Sequence, residues 1–112
     1  MTEATPFEIE VYETQDGRSP FIEWLRNLRD RSAAARVRAR LARVRLGNFG
    51  DSEPVGGGLH ELRIEHGPGY RVYYGRVGKR LVLMLCAGSK KAQQRDINQA
   101  RQYWDDYRSR VS

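Results

Sequence analysis

Cysteine, lysine and long apolar runs are all scarce in this chain of 112 residues. The one cysteine, Cys86, excludes an internal disulfide and any cysteine-rich metal site. The longest apolar run, Leu81 to Ala87, is too short to span a bilayer. The amino-terminal residues are partly acidic and contain no apolar stretch typical of a signal peptide. We therefore expect a cytoplasmic protein that does not enter a membrane.

Arginine makes up most of the basic residues. Of the 20 basic residues, 17 are arginine and three are lysine, and the formal net charge is +6. Arginine contacts phosphate in a planar, bidentate manner and stacks on bases, so the bias fits nucleic-acid binding. A genome rich in G and C would produce the same bias, because its codons favour arginine. The position of each arginine is therefore more informative than the count.

The length predicts a single domain, residues 1–112, with one modest core. Residues 47–58 are rich in glycine and are the only linker-like segment between two differently patterned halves. In the first half, Phe7, Ile9 and Val11 alternate with polar residues, which predicts a strand.

Two helices are predicted after that strand. The first begins at Ser19-Pro20, a typical helix start, and its apolar residues recur at helical spacing. Ser32 is predicted to cap the second helix, which runs to about Leu46, with Gly47 at the position after the carboxyl-terminal cap. The two apolar stripes are Phe21, Trp24, Leu25 and Leu28, followed by Val37, Leu41 and Val44.

The second half has the pattern strand, turn, strand, turn, strand, helix. Its central strands place Leu62 and Val72 on one face. Leu81 to Cys86 is apolar throughout, as in a central strand. The last helix carries a single apolar stripe, made of Ile97, Ala100, Trp104 and Tyr107. The order β-αα-βββ-α predicts an α+β domain, an antiparallel sheet with helices packed on one face.

The register of the two central strands decides where the basic side chains lie. If Leu62 is opposite Val72, then Arg63 is opposite Arg71. Like charges at that spacing are destabilising, and a covering helix would make them costlier still. We therefore expect a sheet face that is open to solvent and suited to an anion. A bland alternative remains, in which both arginines simply pair with the neighbouring Glu61 and Glu65.

A third cationic element follows the last strand. Lys90-Lys91 comes directly after Gly88-Ser89. An adjacent lysine pair is by itself more often a solvated turn. Together with the two strand arginines, it predicts a phosphate-binding surface.

The chain resembles the RelE/ParE superfamily of toxins, of the phage Gp49-like or HigB-like type found in type II toxin–antitoxin modules. The resemblance extends from about Phe7 to Tyr107 and rests on the order and spacing of several short motifs. These are residues 21–25, Leu59-His60-Glu61-Leu62-Arg63, Gly67-Pro68-Gly69-Tyr70-Arg71-Val72-Tyr73, and Gly88-Ser89-Lys90-Lys91 with Gln94, Asp96-Ile97 and Ala100.

The resemblance implies a RelE-like fold and a ribosome-dependent endonuclease that cuts mRNA without a metal or cofactor. In that chemistry the RNA 2′-OH attacks the adjacent phosphate, and cations stabilise the charge that develops. By position, the cations would be Arg63, Arg71, Lys90 and Lys91. The implied partners are the ribosome, mRNA and a co-encoded antitoxin of the helix-turn-helix type.

The groups that transfer protons are less evident, because no clear His/Glu pair is present. Glu61 and Tyr73 share the cationic face and are the better candidates. One of the two adjacent lysines could also serve, since neighbouring like charge disfavours the protonated amine. His60 falls on the core-facing side of its strand, and His66 lies in a turn, where histidines are mostly just exposed.

Other interpretations stay open. Arg36, Arg40 and Arg43 lie on one face of the second helix and form either a solvated face or a contact for ribosomal RNA or an acidic antitoxin. The whole chain could also be a ParE-like poison of DNA gyrase, or a non-catalytic RNA-binding module.

Overall fold

The computed structural model describes residues 6–111 and has an α+β architecture. Three helices and one 3-10 turn accompany a mixed sheet of five strands. The elements, in chain order, are β1 (Glu8–Val11), α1 (Pro20–Asn27), α2 (Arg31–Arg45), β2 (Ser52–Gly56), β3 (Leu59–Ile64), β4 (Tyr70–Val77), β5 (Leu81–Ser89), the 3-10 turn (Lys90–Ala92) and α3 (Gln93–Val111).

The strands are arranged in the order β1-β5-β4-β3-β2. Strands β2 to β5 pair antiparallel, whereas β1 runs parallel to β5, with Ile9 opposite Val82. The prediction of a fully antiparallel sheet is therefore wrong at β1. Two parallel neighbouring strands need a long connection between them. Here the chain between β1 and β5 contains α1, α2 and the strands β2, β3 and β4.

Helices cover both faces of the sheet, so the prediction of helices on one face is also wrong. Val82 and Met84 pack with α1 and α2, while Leu83 and Leu85 pack with α3. Because β5 is apolar on both sides, each side has to be shielded from water. The predicted stripe of α3 is confirmed, since Ala100 and Trp104 are buried and Ile97 and Tyr107 pack beside them.

The glycine-rich segment 47–58 contains β2, an edge strand that the linker interpretation missed. Its pairing with β3 is interrupted by an irregularity between Pro54 and Gly56. Proline cannot donate a ladder hydrogen bond, and a bulge bends the strand, so both features suit the edge of a sheet.

The ends of α2 correct one prediction and confirm another. Asp30, and not Ser32, caps the amino terminus, because its side chain accepts a hydrogen bond from the Ala33 backbone N–H at 3.1 Å. Gly47 follows the last turn with a φ of +92°, a conformation that glycine adopts at little cost. None of the helices within residues 6–111 has the length and apolar content to cross a membrane.

Candidate functional site

Arg63 and Arg71 are directly opposite each other, in one of the registers that the parity of the strands allows. Strands β3 and β4 pair Leu62 with Val72 and Arg63 with Arg71. Glu61 is opposite Tyr73 in the same ladder, and Arg71 is opposite Gly88 of β5. Leu62 and Val72 face α1 and α2. The candidate site lies on the opposite face, beside α3, which Tyr73 shares with Glu61, Arg63 and Arg71.

This face is not open to solvent, contrary to the expectation from the two opposed arginines. Arg71 is 5% exposed, Glu61 is 1% exposed and Tyr73 is fully buried. The apolar side chains of β5 on the same face require a covering helix, and α3 therefore closes over the centre of the sheet. Carboxylates offset the repulsion between the two guanidinium groups.

Arg63 is surrounded by carboxylates from three directions. It forms ion pairs with Asp51 at 3.5 Å, with Glu61 at 3.4 Å and with Glu53 of β2. Two of these partners come from the segment that the sequence predicts to be a linker. The ion pairs of the bland alternative are thus present, although the face that carries them is covered.

Arg71 has only part of its guanidinium group paired. Its Nη1 atom donates to the Tyr70 carbonyl at 3.0 Å and contacts the Glu65 carboxylate at 3.2 Å. Its Nε atom is buried and has no hydrogen-bond partner within residues 6–111. Buried donors are normally paired, so an unpaired guanidinium nitrogen marks a position where a ligand oxygen or a water molecule fits.

Glu61 is held by three donors. Gln93 of α3 donates to its Oε1 atom at 2.6 Å, the Tyr73 hydroxyl donates to the same atom at 3.3 Å, and the Arg63 Nε lies 3.4 Å from Oε2. Burial raises the pKa of Tyr73, and the neighbouring Glu61 charge adds to the rise. Tyr73 therefore keeps its proton and acts as a donor. Gln93 is a site residue that the sequence pattern does not reveal.

Lys90 and Lys91 form the 3-10 turn between β5 and α3. Both are exposed, and neither forms an ion pair with any carboxylate in residues 6–111. The Lys90 backbone N–H donates to the Gly69 carbonyl at 2.9 Å. A methyl group built on Gly69 would lie 3.5 Å from Lys90 Cβ and 3.7 Å from Glu65 Oε2. Lys90, Glu65 and Arg71 therefore come together at one end of the sheet.

Asp96 is a second site residue that sequence reasoning did not single out for chemistry. Its carboxylate lies so close to Gly88 that a methyl group there would collide with Asp96 Oδ2. That oxygen is buried without a hydrogen-bond partner in the described part of the chain. Burial raises the pKa of Asp96, although Arg95 opposes the rise. Gly88, which is opposite Arg71 in the sheet, is the sequence signal that could have revealed this approach, because a strand glycine leaves room for a side chain from α3.

The two histidine side chains have partners outside this cluster. His60 stacks on Tyr74 with a ring-centroid distance of 5.1 Å, on the face packed against α1 and α2. Burial lowers the pKa of His60, and Arg76 lowers it further. His66 instead pairs with Asp30 at 3.2 Å and links the β3–β4 turn to the start of α2. His60 therefore faces the core, as predicted.

The three arginines of the α2 face differ in their surroundings. Arg36 and Arg43 are exposed, whereas Arg40 is partly buried and donates to the carbonyl oxygens of Arg63, Phe49 and Asp51. Burial lowers the pKa of Arg40. The alternative of a simple solvated face therefore does not hold for Arg40. No three His, Cys, Asp or Glu side chains within residues 6–111 are grouped so that they could hold a metal ion.

Comparison with known proteins places the chain in a family. No protein-family model matches it. An uncharacterized protein of Haemophilus influenzae is 46% identical over 81 residues, which span 72% of this chain and 82% of that protein. The chain belongs to the same family as this protein. Membership of the family assigns no activity by itself.

Proposed function

We propose that the protein is the toxin of a type II toxin–antitoxin module, a RelE-like, HigB-like endoribonuclease that cuts mRNA on the ribosome without a metal. Its neutralising partner would be a co-encoded antitoxin of the helix-turn-helix type. The observation that carries the proposal is the buried Arg71 guanidinium, whose Nε has no partner within residues 6–111, at the same end of the sheet as the exposed Lys90. Such a pair is suited to an oxyanion.

The proposed reaction needs charge stabilisation more than any other help. The RNA 2′-OH attacks the adjacent phosphorus, the bond to the 5′ oxygen breaks, and a proton passes from the 2′ oxygen to the leaving oxygen through the enzyme. Negative charge develops on the non-bridging oxygens of the pentavalent phosphorus. Arg71 and Lys90 would stabilise that charge, and a preorganised donor of this kind is worth about 3–4 kcal/mol of barrier.

The remaining residues divide into positioning and proton-transfer roles. Glu61 holds Arg63 and accepts from Tyr73, so we assign it to positioning. Asp96 has a raised pKa and a carboxylate oxygen with no partner in residues 6–111, and it joins Lys90 and Lys91 as a candidate for proton transfer.

The test of this proposal combines induced expression with primer extension on translated transcripts. Arg71→Lys keeps the charge but loses the guanidinium geometry, and Lys90→Ala removes the exposed cation. We expect each change to lower cleavage by about 100-fold to 1,000-fold. Lys79→Ala is the matched control, because Lys79 lies in the β4–β5 turn and its change should leave cleavage intact. Intact transcripts during growth arrest by the unmodified protein would refute the endonuclease assignment, and lost supercoiling would instead indicate a gyrase poison.

A second candidate function is a non-catalytic RNA-binding module. The carboxylates around Arg63 favour it, because they neutralise a cation that cleavage would otherwise use. This alternative predicts salt-sensitive RNA binding and no growth arrest on induction. Arrest that disappears in a folded Arg71→Lys variant would exclude it.

A further inference from the structure

Helix α2 carries an unusual charge. Its 15 residues include six arginines and no acidic residue. None of the six forms an ion pair with a carboxylate in the part of the chain that the structure describes. A helix with this much uncompensated charge repels itself and attracts anions.

Three of these arginines line one groove. Arg36, Arg40 and Arg43 are spaced four and three residues apart and therefore share a helix face. They border a cavity of about 370 Å³ between α2 and the end of β3, which Ala39, Ile64 and Glu65 complete. The Arg40 side chain is held by backbone carbonyls, including that of Phe49 at 3.1 Å. One of the three cations is thus fixed in place before any ligand binds.

Glu65 is the one acidic residue among those that border the groove. Its carboxylate is also the only one that contacts Arg71 within residues 6–111, at 3.2 Å. Glu65 therefore stands between the groove on α2 and the candidate site on the other face of the sheet. Its side chain is 63% exposed, so an incoming anion can displace it.

We propose that the groove bordered by Arg36, Arg40 and Arg43 is a second phosphate-binding subsite, which holds a neighbouring phosphodiester of single-stranded RNA. The RNA would reach it past Glu65 when another phosphate lies at Arg71, and this orientation rests on the proposed function. Three guanidinium groups against a single carboxylate match the repeated charge of a nucleic-acid backbone.

The opposite side of α2 has a different character and supplies the control. There, Arg38 and Arg45 flank a surface that contains Ile9, Leu41 and the 79% exposed Leu46. Such an apolar surface suits a protein more than a phosphate backbone. The two sides of one helix thus permit a comparison at equal charge.

The experiment compares two double variants, Arg36→Ala with Arg43→Ala and Arg38→Ala with Arg45→Ala. Each removes two exposed charges from the same helix, and circular dichroism verifies the fold. The probe is a fluorescent single-stranded RNA with 2′-O-methyl groups throughout, which cannot be cleaved through its 2′ oxygens. Anisotropy is measured from low to moderate salt.

We expect the groove variant to lose at least tenfold in affinity at low salt. Its salt slope should fall by about 1.4, the value for two lost phosphate contacts on a single strand. The control variant should change both quantities by less than half as much. Equal losses would overturn the subsite, because they would show general attraction to a basic helix. Unchanged RNA binding with lost binding of poly-glutamate would overturn it too, in favour of an acidic protein.

Glu65 provides an independent test of the path. Glu65→Gln removes its negative charge, and we expect RNA to bind about twofold to fivefold more tightly, the scale of an exposed ion pair. Glu53→Gln is the matched control, since Glu53 forms a similar pair with Arg63 but does not border the groove. Unchanged or weaker binding by the Glu65 variant would contradict the path.

Failure of this inference and failure of the proposed function give different results. The binding assay uses purified protein and an uncleavable probe, so it is independent of the ribosome. If the protein cleaves mRNA but the two double variants bind the RNA probe equally well, only the proposed subsite is refuted. RNA binding that depends on the groove arginines, without any cleavage, would support the subsite and refute the endonuclease assignment.

Discussion

The two faces of the sheet bury different kinds of side chains. Toward α1 and α2, the interior is made of aliphatic and aromatic groups such as Phe21, Val37 and Met84. Toward α3, the interior also contains the charged Glu61 and Arg71, together with an Asp96 oxygen that has no partner among residues 6–111. Both faces bury apolar groups, but only the α3 face also buries charged groups, and their burial lowers the stability of the fold.

This difference identifies where chemistry is expected. Burying charge is costly unless each charge is paired, and in the described part of the chain the Arg71 Nε and the Asp96 Oδ2 have no hydrogen-bond partner on the α3 face. On α2 most of the arginines, such as Arg36 and Arg43, are exposed and accessible to a ligand. Four substitutions can break or sharpen this comparison.

The largest effect is expected on the apolar face. Phe21 is 1% exposed, and Phe21→Ala removes a buried ring and leaves a cavity. We expect the free energy of unfolding to fall by about 3–5 kcal/mol, measured by urea denaturation. Leu46→Ala is the control and should change it by less than about 0.5 kcal/mol, since Leu46 is mostly exposed. Similar losses of unfolding free energy in both variants would contradict a main contribution of the apolar face to stability.

The next effect concerns packing on the α3 face. A methyl group on Gly75 would overlap the Trp104 ring, and that ring is fixed by a hydrogen bond from its Nε1 atom to the Gly57 carbonyl at 2.8 Å. We expect Gly75→Ala to cost about 1–3 kcal/mol of unfolding free energy. The double variant with Trp104→Leu should show a smaller additional cost of Gly75→Ala. Simple additivity of the two changes would contradict the overlap.

A pH-dependent effect is expected from Asp96. Burial raises its pKa above the ordinary value of 3.8, so the folded protein holds this proton more tightly than the unfolded chain. Its contribution to stability is present below that ordinary value and is lost as pH rises through the raised one.

The unmodified protein should therefore lose this contribution as the pH rises from about 3 to about 7, whereas the Asp96→Asn variant has no proton to lose there. The stability of the variant, relative to that of the unmodified protein, should be higher at about pH 7 than at about pH 3. Thermal denaturation at both pH values measures the difference, with the more exposed Asp105→Asn as the control on the same helix. A difference that stays constant with pH would show that Asp96 is not buried as described.

The smallest effect is expected at the edge of the site. Glu53→Gln removes a carboxylate that is 55% exposed and leaves Arg63 with Asp51 and Glu61. We expect a loss of about 0.2–1 kcal/mol in unfolding free energy, which salt should reduce further. A loss of several kcal/mol, or one that salt does not alter, would place Glu53 among the buried charges of the α3 face.

Much of the candidate site could be predicted from local pattern. The alternation of Leu62 and Arg63 and of Arg71 and Val72 sets which side chains share a face, and the observed register agrees with that parity. The covering of that face could not be predicted in the same way. It depends on α3, which packs there because Leu83 and Leu85 require shielding from water.

The sequence by itself determined the helices, the central strands and the common face of Arg63 and Arg71, because periods of 3.6 and two residues are local properties of a chain. Only the tertiary structure decided that β1 runs parallel to β5, that Asp51 and Glu53 reach Arg63, and that Asp96 lies against Gly88. These contacts join different elements of the fold or the loops beside them. They follow from how apolar faces are shared among the whole set of elements, which no short segment encodes.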